Sequence, residues 1–405
     1  MAGIVVIGAG QAGASLVAKL RALGHDGPLT LIGDEPVPPY QRPPLSKKYL
    51  LGEMEVERLF LRPESFYAEQ GITLRLGRPV TRIDATARRV WLGDEAIAYD
   101  QLALTTGAEP RRLPEAAGGG LGGVHVVRRL ADIDAMADGF VAGRRVLIVG
   151  GGYIGLEAAA VARLRGLEVT LIEAAGRILQ RVAAPETSDY MRALHQARGV
   201  RILENTGLVR LTGDAGRVSG AELGGELGGG QTLGVDLVVA GIGITPSTAL
   251  AQSAGLVLDN GIAVDARGRS SDPAIWAAGD CASFPWRGGR IRLESVQNAI
   301  DQAEAVAANM LGAGQDYAPL PWFWSDQYDM KLQIAGLNTG YDRVVIRPGE
   351  GAQSHWYFAG ERFLAVDAMN DARAFMLGKR LLEAGRSPDP AALADPATDL
   401  KTLLR

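Results

Sequence analysis

Val146-Leu147-Ile148-Val149-Gly150-Gly151-Gly152-Tyr153-Ile154-Gly155 repeats a pattern that the chain shows first at Ile4-Val5-Val6-Ile7-Gly8-Ala9-Gly10-Gln11-Ala12-Gly13. In both, an apolar strand-type run enters G-x-G-x-x-G, and a small-residue helical pattern follows. The first glycine permits a tight turn, the second lets backbone N–H groups approach a pyrophosphate, and the third allows close helix–strand packing. One such loop is a weak signal. Two in this context predict two dinucleotides, and two dinucleotides in one chain imply that electrons pass between them.

Each loop carries an acidic residue at the end of its second strand. Leu29-Thr30-Leu31-Ile32 runs into Gly33-Asp34-Glu35, and Val169-Thr170-Leu171-Ile172 ends at Glu173. A carboxylate there accepts hydrogen bonds from ribose hydroxyls and repels a 2′-phosphate. Glu173 therefore favours NADH over NADPH at the second site, a preference that the neighbouring Arg177 and Arg181 would weaken.

The composition narrows the class. The chain has 405 residues, enough for two or three domains, and its 47% apolar content with 53 glycines suits α/β units with many tight turns. A net charge of −4 gives no support for nucleic-acid binding. No apolar stretch reaches bilayer length, and the first strand begins almost at Met1, so neither a membrane span nor a signal peptide is expected. Cys281 is the single cysteine, which excludes a C-x-x-C pair and any intrachain disulfide. His25, His125, His195 and His355 lie far apart without metal-ligand spacing, so no metal is expected. The expected location is cytoplasmic, with redox chemistry carried by bound cofactors.

The order of elements reads as a duplication. Gly8 leads through a β-rich stretch to Leu102–Pro110, with Thr106 and Gly107 as candidate cofactor contacts. Gly150 leads in the same way to Leu237–Pro246, with Gly243 in the corresponding place. Val80–Ile83, Arg88–Leu92 and Ala96–Tyr99 predict one three-stranded meander; Val209–Leu211, Val218–Leu223 and Gln231–Leu233 predict another, with Gly224–Gly230 as a flexible turn. Gly118–Gly123 reads as a hinge or loop. After Asp236 the chain is expected to return to the first unit, with a short strand ending in Gly279-Asp280 and a helix from Val296 to about Leu311. Strands at 331–335, 343–346, 355–359 and 363–369, then a helix near 371–383, predict a third, smaller α+β domain. The expected boundaries are 1–109 with 236–315, 110–235, and 316–405.

Pro43-Pro44-Leu45-Ser46-Lys47, Ala277-Ala278-Gly279-Asp280-Cys281-Ala282, Glu294-Ser295-Val296-Gln297-Asn298-Ala299 and Pro321-Trp322-Phe323-Trp324-Ser325-Asp326-Gln327-Tyr328 make the pattern specific. Over essentially its whole length the chain resembles the FAD-dependent, NADH-dependent ferredoxin reductases of bacterial cytochrome P450 systems, the putidaredoxin-reductase and rhodocoxin-reductase type. The resemblance implies an α/β, glutathione-reductase-like fold: two Rossmann-type dinucleotide-binding domains and a small C-terminal α+β domain. It places FAD at Gly8, Gly10, Gln11, Ala12 and Gly13, with Asp34 or Glu35 on the adenosine ribose. NADH falls at Gly150, Gly152, Tyr153, Ile154 and Gly155. Arg42, Pro44, Val80, Arg128, Gly279 and Ser295 stand at positions of cofactor contact, and Asp280 at the position of the acid on the ribityl chain. Val296 and Gln297 would direct helix N–H groups at the pyrimidine end of the flavin, where partial positive charge favours the reduced ring. Lys47, paired with Glu157, would stabilise charge arriving with hydride. Trp324, with Trp322, would sit near the flavin edge at the partner dock.

Disulfide reductases of this fold carry a cysteine pair where this chain has Arg42-Pro43-Pro44-Leu45-Ser46-Lys47, so thiol chemistry at the flavin is excluded. The expected route is hydride from NADH to FAD, then single electrons to an acidic [2Fe-2S] ferredoxin in a transient complex. Arg42, Lys47, Lys48, Lys331, Arg343, Lys379 and Arg380 are candidates for a basic dock. The alternatives are reduction of rubredoxin or of a small acceptor (monodehydroascorbate, quinone, oxygen), or a redox-sensing NADH-binding flavoprotein. The resemblance fits a monomer or weak dimer.

Overall fold

A computed structural model describes residues 3–225 and 230–404. The backbone forms two compact units, one of Met1–Gln41, Glu55–Glu109 and Ile244–Pro319, the other of Arg42–Met54, Pro110–Gly243 and Leu320–Arg405.

The first unit is built on a parallel sheet in the order Ile275–Ala277, Gln101–Leu104, Ile4–Ile7, Leu29–Ile32, Ile72–Arg75. All four residues of Ile4–Ile7 are buried, because a central parallel strand is covered on both faces. Ile4 and Val6 face the Gln11–Ala22 and Val296–Met310 helices through Leu16, Val17, Ala303 and Val306. Val5 and Ile7 face the opposite way, with Ile83, Val90 and Leu92 of a three-stranded antiparallel sheet, Arg82–Asp84, Arg89–Leu92 and Glu95–Ala98. Each large side chain so buried contributes roughly 1.5–3 kcal/mol.

The second unit repeats this plan. Its parallel sheet runs Arg201–Leu203, Glu168–Ile172, Arg145–Val149, Leu237–Ala240, Val124–His125. Leu147, Val149 and Val238 pack against Leu211, Val218, Ala221 and Leu223 of the meander formed by Thr206–Asp214, Arg217–Gly225 and Gln231–Gly234. The unit also holds an antiparallel sheet in the order Trp322–Gln327, Met330–Gly336, Arg362–Met369, Ala352–Ala359, Arg343–Gly349. The Ala372–Glu383 helix lays Phe375, Leu377 and Leu381 on that sheet.

A buried polar cluster lies within the second unit. Thr187 Oγ1 donates to Asp367 Oδ2 at 2.8 Å and lies 2.7 Å from His355 Nδ1, while the Tyr357 hydroxyl also donates to Asp367. Since the Thr187 proton goes to Asp367, His355 Nδ1 must donate to Thr187, and His355 Nε2 accepts from Gln353 Nε2 at 2.6 Å.

Several expectations need correction. Leu237–Ala240 completes the second sheet beside Arg145–Val149, so the chain returns to the first unit at Ile244 and not directly after Asp236. Arg42–Met54 belongs to the second unit, and the first extends to Pro319. Gly118–Gly123 is a loop, as expected, and it is tied in place: a Cβ on Gly119 would fall 2.0 Å from the Leu113 carbonyl, and Gly122 N–H donates to Gly216. Of the flexible turn expected over Gly224–Gly230, Gly224 and Gly225 continue the Arg217–Gly225 strand, and 226–229 lie outside the described residues. The Pro185–Ala197 helix and the Trp322–Gln327 strand have no counterpart among the expected elements.

Candidate functional site

The two glycine loops share one geometry. Gly8 has φ +113° and Gly150 φ +106°, and a Cβ on either would fall within 2.4 Å of a carbonyl, of Thr105 and Gly241 respectively. A Cβ on Gly13 would lie 2.0 Å from Gly8 O, and one on Gly155 2.0 Å from Gly150 O. Gly10 and Gly152 instead face open space. They are the N-caps of Gln11–Ala22 and Tyr153–Leu164, with no side-chain cap and no acid in the first turn. Uncapped N–H groups at a positive helix end, approached without a Cβ, are what a pyrophosphate requires. Both loops fit a dinucleotide.

In the first unit, Glu35 Oε2 accepts from the Tyr40 hydroxyl at 2.6 Å, and Asp34 is exposed. Gly33 lies so close to Ala9 that a Cβ would meet its side chain at 2.6 Å, which fixes the strand end against the loop. Gly279, at φ +82°, abuts Ala12, and its N–H donates to Gln302. Arg292 donates to the Asp280 carbonyl at 3.0 Å. Ser295 caps the Val296–Met310 helix by accepting from Asn298 N–H, and Gln297 donates to Asp301. Thr106 donates to the Ser247 carbonyl, Gly107 has φ +68°, and Val80 packs on the core. Cys281 is fully buried, which raises its thiol pKa.

In the second unit, Glu173 Oε1 accepts from Ala175 N–H and Oε2 from Gly151 N–H, both at 2.7 Å. The ribose-type acid is thus held against the glycine loop. Arg177 is tied to Ser188 at 2.6 Å and Arg181 is exposed. Ile154 is 42% exposed, Gly243 has φ +98°, and the Tyr153 ring rests on Phe323 at 4.9 Å. Arg42 donates to the Arg128 carbonyl at 2.7 Å, and Arg129 begins the Leu130–Ala137 helix, its N–H donating to Asp132.

Pro44 precedes an irregular helical turn, Leu45–Tyr49, in which Lys47 leaves helical geometry (φ −133°, ψ −111°). That departure sends Lys47 Nζ to Glu157 Oε2 at 2.6 Å. Ser46 does not cap this turn. Its hydroxyl donates to the same Glu157 oxygen at 3.0 Å. Glu157 is 4% exposed, and Ser325 Oγ donates to its other oxygen at 2.7 Å. Every contact holds Glu157 as a carboxylate acceptor.

Trp324 lies half-buried, its ring 5.7 Å from Trp322. Trp322 packs on Phe375 and under Lys379 Nζ at 5.5 Å. Of the other basic candidates, Lys48, Lys331, Arg343 and Arg380 are exposed, and Arg343 stacks on Phe358. The sequence reading missed Tyr40, Ser325, Gln327 and His195. Ser325 and Gln327 had a signal, for they alternate with Trp324 and Asp326 on a strand and point to the same face.

Residues 2–303 match the family model described as pyridine nucleotide-disulphide oxidoreductase, and residues 322–404 match the reductase C-terminal model. Rhodocoxin reductase of Rhodococcus erythropolis is 43% identical, over 98% of this chain and 93% of its own. Putidaredoxin reductase of Pseudomonas putida is 40% identical, over 99% of this chain and 96% of its own. The solved covalent putidaredoxin reductase–putidaredoxin complex superposes with a TM-score of 0.95 at 38% identity, covering 100% of this chain and 98% of that one. With two glycine loops of dinucleotide geometry in the matched segment, the chain belongs to the pyridine nucleotide-disulphide oxidoreductase family.

Proposed function

We propose that the protein is an NADH-dependent ferredoxin reductase that supplies single electrons, through FAD, to a [2Fe-2S] ferredoxin serving a cytochrome P450 or similar oxygenase. The observation that carries this reading is the pair of dinucleotide-type loops in one chain whose only cysteine is buried. The bound FAD supplies the conversion from hydride pairs to single electrons. The Gly8 loop, with Glu35 or Asp34 and Asp280, holds FAD. The Gly150 loop holds NADH, and Glu173, fixed by Gly151 and Ala175, excludes a 2′-phosphate. Lys47 supplies a cation for the charge that arrives with hydride, and Glu157 holds it in place. The half-buried Trp324 and nearby basic side chains form the partner dock. A single buried thiol and no disulfide suit the cytoplasm, and no helix among the described residues is long and apolar enough to cross a membrane. The closely similar reductase solved in complex with putidaredoxin supports a protein acceptor over a small one.

The direct check is on cofactor and nucleotide. Purified protein carries FAD and is bleached by NADH in strong preference to NADPH. Protein that carries no flavin, or that NADPH bleaches equally fast, contradicts the assignment.

A further inference from the structure

Glu157 is the end of a longer buried chain of hydrogen bonds. Gln327 Nε2 lies 3.1 Å from Ser325 Oγ, Gln327 Oε1 lies 2.7 Å from His195 Nε2, and His195 Nδ1 lies 3.2 Å from the Tyr328 hydroxyl. Ser325, Gln327 and His195 are each at most 1% exposed. Bulk water therefore does not reach the Ser325, Gln327 and His195 side chains, and each of their donors must meet an acceptor.

The directions then follow from the Glu157 end. A carboxylate only accepts, so the Ser325 proton points to Glu157 Oε1. Ser325 Oγ must then accept from Gln327, which turns the Gln327 amide N towards Ser325 and its carbonyl towards His195. That carbonyl needs a donor, so His195 carries its proton on Nε2. His195 Nδ1 accepts from Tyr328. Were His195 protonated on Nδ1 alone, its Nε2 would draw the Gln327 amide N, the Gln327 carbonyl would capture the Ser325 proton, and Glu157 Oε1 would lose its donor.

A second observation marks the outer end as specified. Tyr328 is the only aromatic residue among those described with a left-handed backbone, φ +57°, a conformation that costs such a residue on the order of 1 kcal/mol. Its ring lies under the Arg198 guanidinium at 4.8 Å, and Arg198 is in turn paired with Asp329 at 2.6 Å. These contacts hold the hydroxyl on His195.

We propose that His195, Gln327 and Ser325 are positioning residues for the Lys47–Glu157 pair, and that the Nε2–H tautomer of His195 fixes, through the Gln327 amide and the Ser325 hydroxyl, the alignment of Glu157. The proposal rests on the reading that this pair assists flavin reduction by NADH.

The test uses the full-length holoenzyme. NMR of the ring nitrogens in histidine-labelled protein shows His195 neutral with its proton on Nε2. Ser325→Ala and His195→Leu each slow flavin reduction by NADH on the order of tenfold, the effect of losing one hydrogen bond to a charged group. The double variant is no slower than the slower single one, because both break the same chain. His195→Gln, which keeps an N–H donor, recovers most of the rate. A proton on Nδ1, multiplied effects in the double variant, or a Gln variant as slow as the Leu variant overturns the network. Wild-type holoenzyme that NADH fails to bleach overturns the functional reading instead.

Discussion

Lys47 Nζ and Glu157 Oε2 lie 2.6 Å apart across 110 positions of sequence, and the carboxylate is almost wholly buried. The pair brings a turn of the chain's first eighth to the helix that follows the second glycine loop. Removing one partner strands the other. Lys47→Met should cost about 2 kcal/mol of stability, discounted because Lys47 keeps some exposure, and should slow flavin reduction by NADH on the order of a hundredfold. The Lys47→Met/Glu157→Gln double variant should regain most of the stability and none of the rate. Thermal melts with anaerobic stopped-flow check both, and a double variant of normal rate would remove Lys47 from the chemistry.

The glycines of the second loop separate packing from binding. Gly155→Ala places a methyl 2.0 Å from the Gly150 carbonyl, so it should destabilise the protein by about 3 kcal/mol and lower expression. Gly152→Ala meets nothing within 4 Å, so it should melt near the wild-type temperature while the KM for NADH rises roughly tenfold. Equal losses of stability in the two variants would contradict the open cradle at Gly152.

The Asp367–His355 cluster makes opposing contributions to stability over one pH range. Burial pushes Asp367 up from 3.8 to about 6, against the hydrogen bonds from Tyr357 and Thr187. The folded unit keeps a proton that the unfolded chain sheds, so this contribution is complete below pH 4 and is lost as pH rises through 6. Burial pushes His355 down from 6.5 to about 4. There the unfolded chain binds a proton that the folded unit refuses, so stability is lost as pH falls from 6.5 to 4. The two slopes offset each other. Asp367→Asn should leave the His355 slope, with stability rising by about 2 kcal/mol from pH 4 to 6.5, and His355→Gln should leave the reverse slope. Urea midpoints measured across that range decide it, and slopes of the same sign in the two variants would contradict the assignment.

Cys281 is fully buried with its pKa raised, so it should not react with a thiol reagent until the protein unfolds. Cys281→Ala should lose about 1 kcal/mol of stability and keep wild-type rates of electron transfer. A reactive native thiol, or a Cys281→Ala variant that no longer passes electrons, would reopen thiol chemistry.

The dinucleotide plan was legible because its determinants are local. Gly8, Gly10 and Gly13, like Gly150, Gly152 and Gly155, act within six residues of one another, and the strand before each is a continuous apolar run. Glu173 was legible for the same reason, since it stands where a strand ends. Leu237–Ala240 falls past the expected boundary because four buried apolar residues suit either parallel sheet, and only the pairing with Val146–Val149 decides. Ser325, Gln327 and His195 were not legible as a group. Ser325 meets Glu157 across 168 positions and Gln327 meets His195 across 132, distances at which no spacing rule operates. Tyr40 was closer, five residues from Glu35, but a proline-rich turn gives no periodicity from which to orient it.

On the proposed function, electrons enter from NADH and leave one at a time to a protein. Anaerobic stopped-flow tests this reading most directly: the purified holoenzyme is mixed with NADH, then with an oxidised [2Fe-2S] ferredoxin, at low and high salt. Rapid bleaching by NADH is expected, then flavin reoxidation at the same rate as ferredoxin reduction, slowing steeply as salt rises. Bleaching with no transfer to any ferredoxin, or reoxidation only by oxygen or quinone, would contradict it.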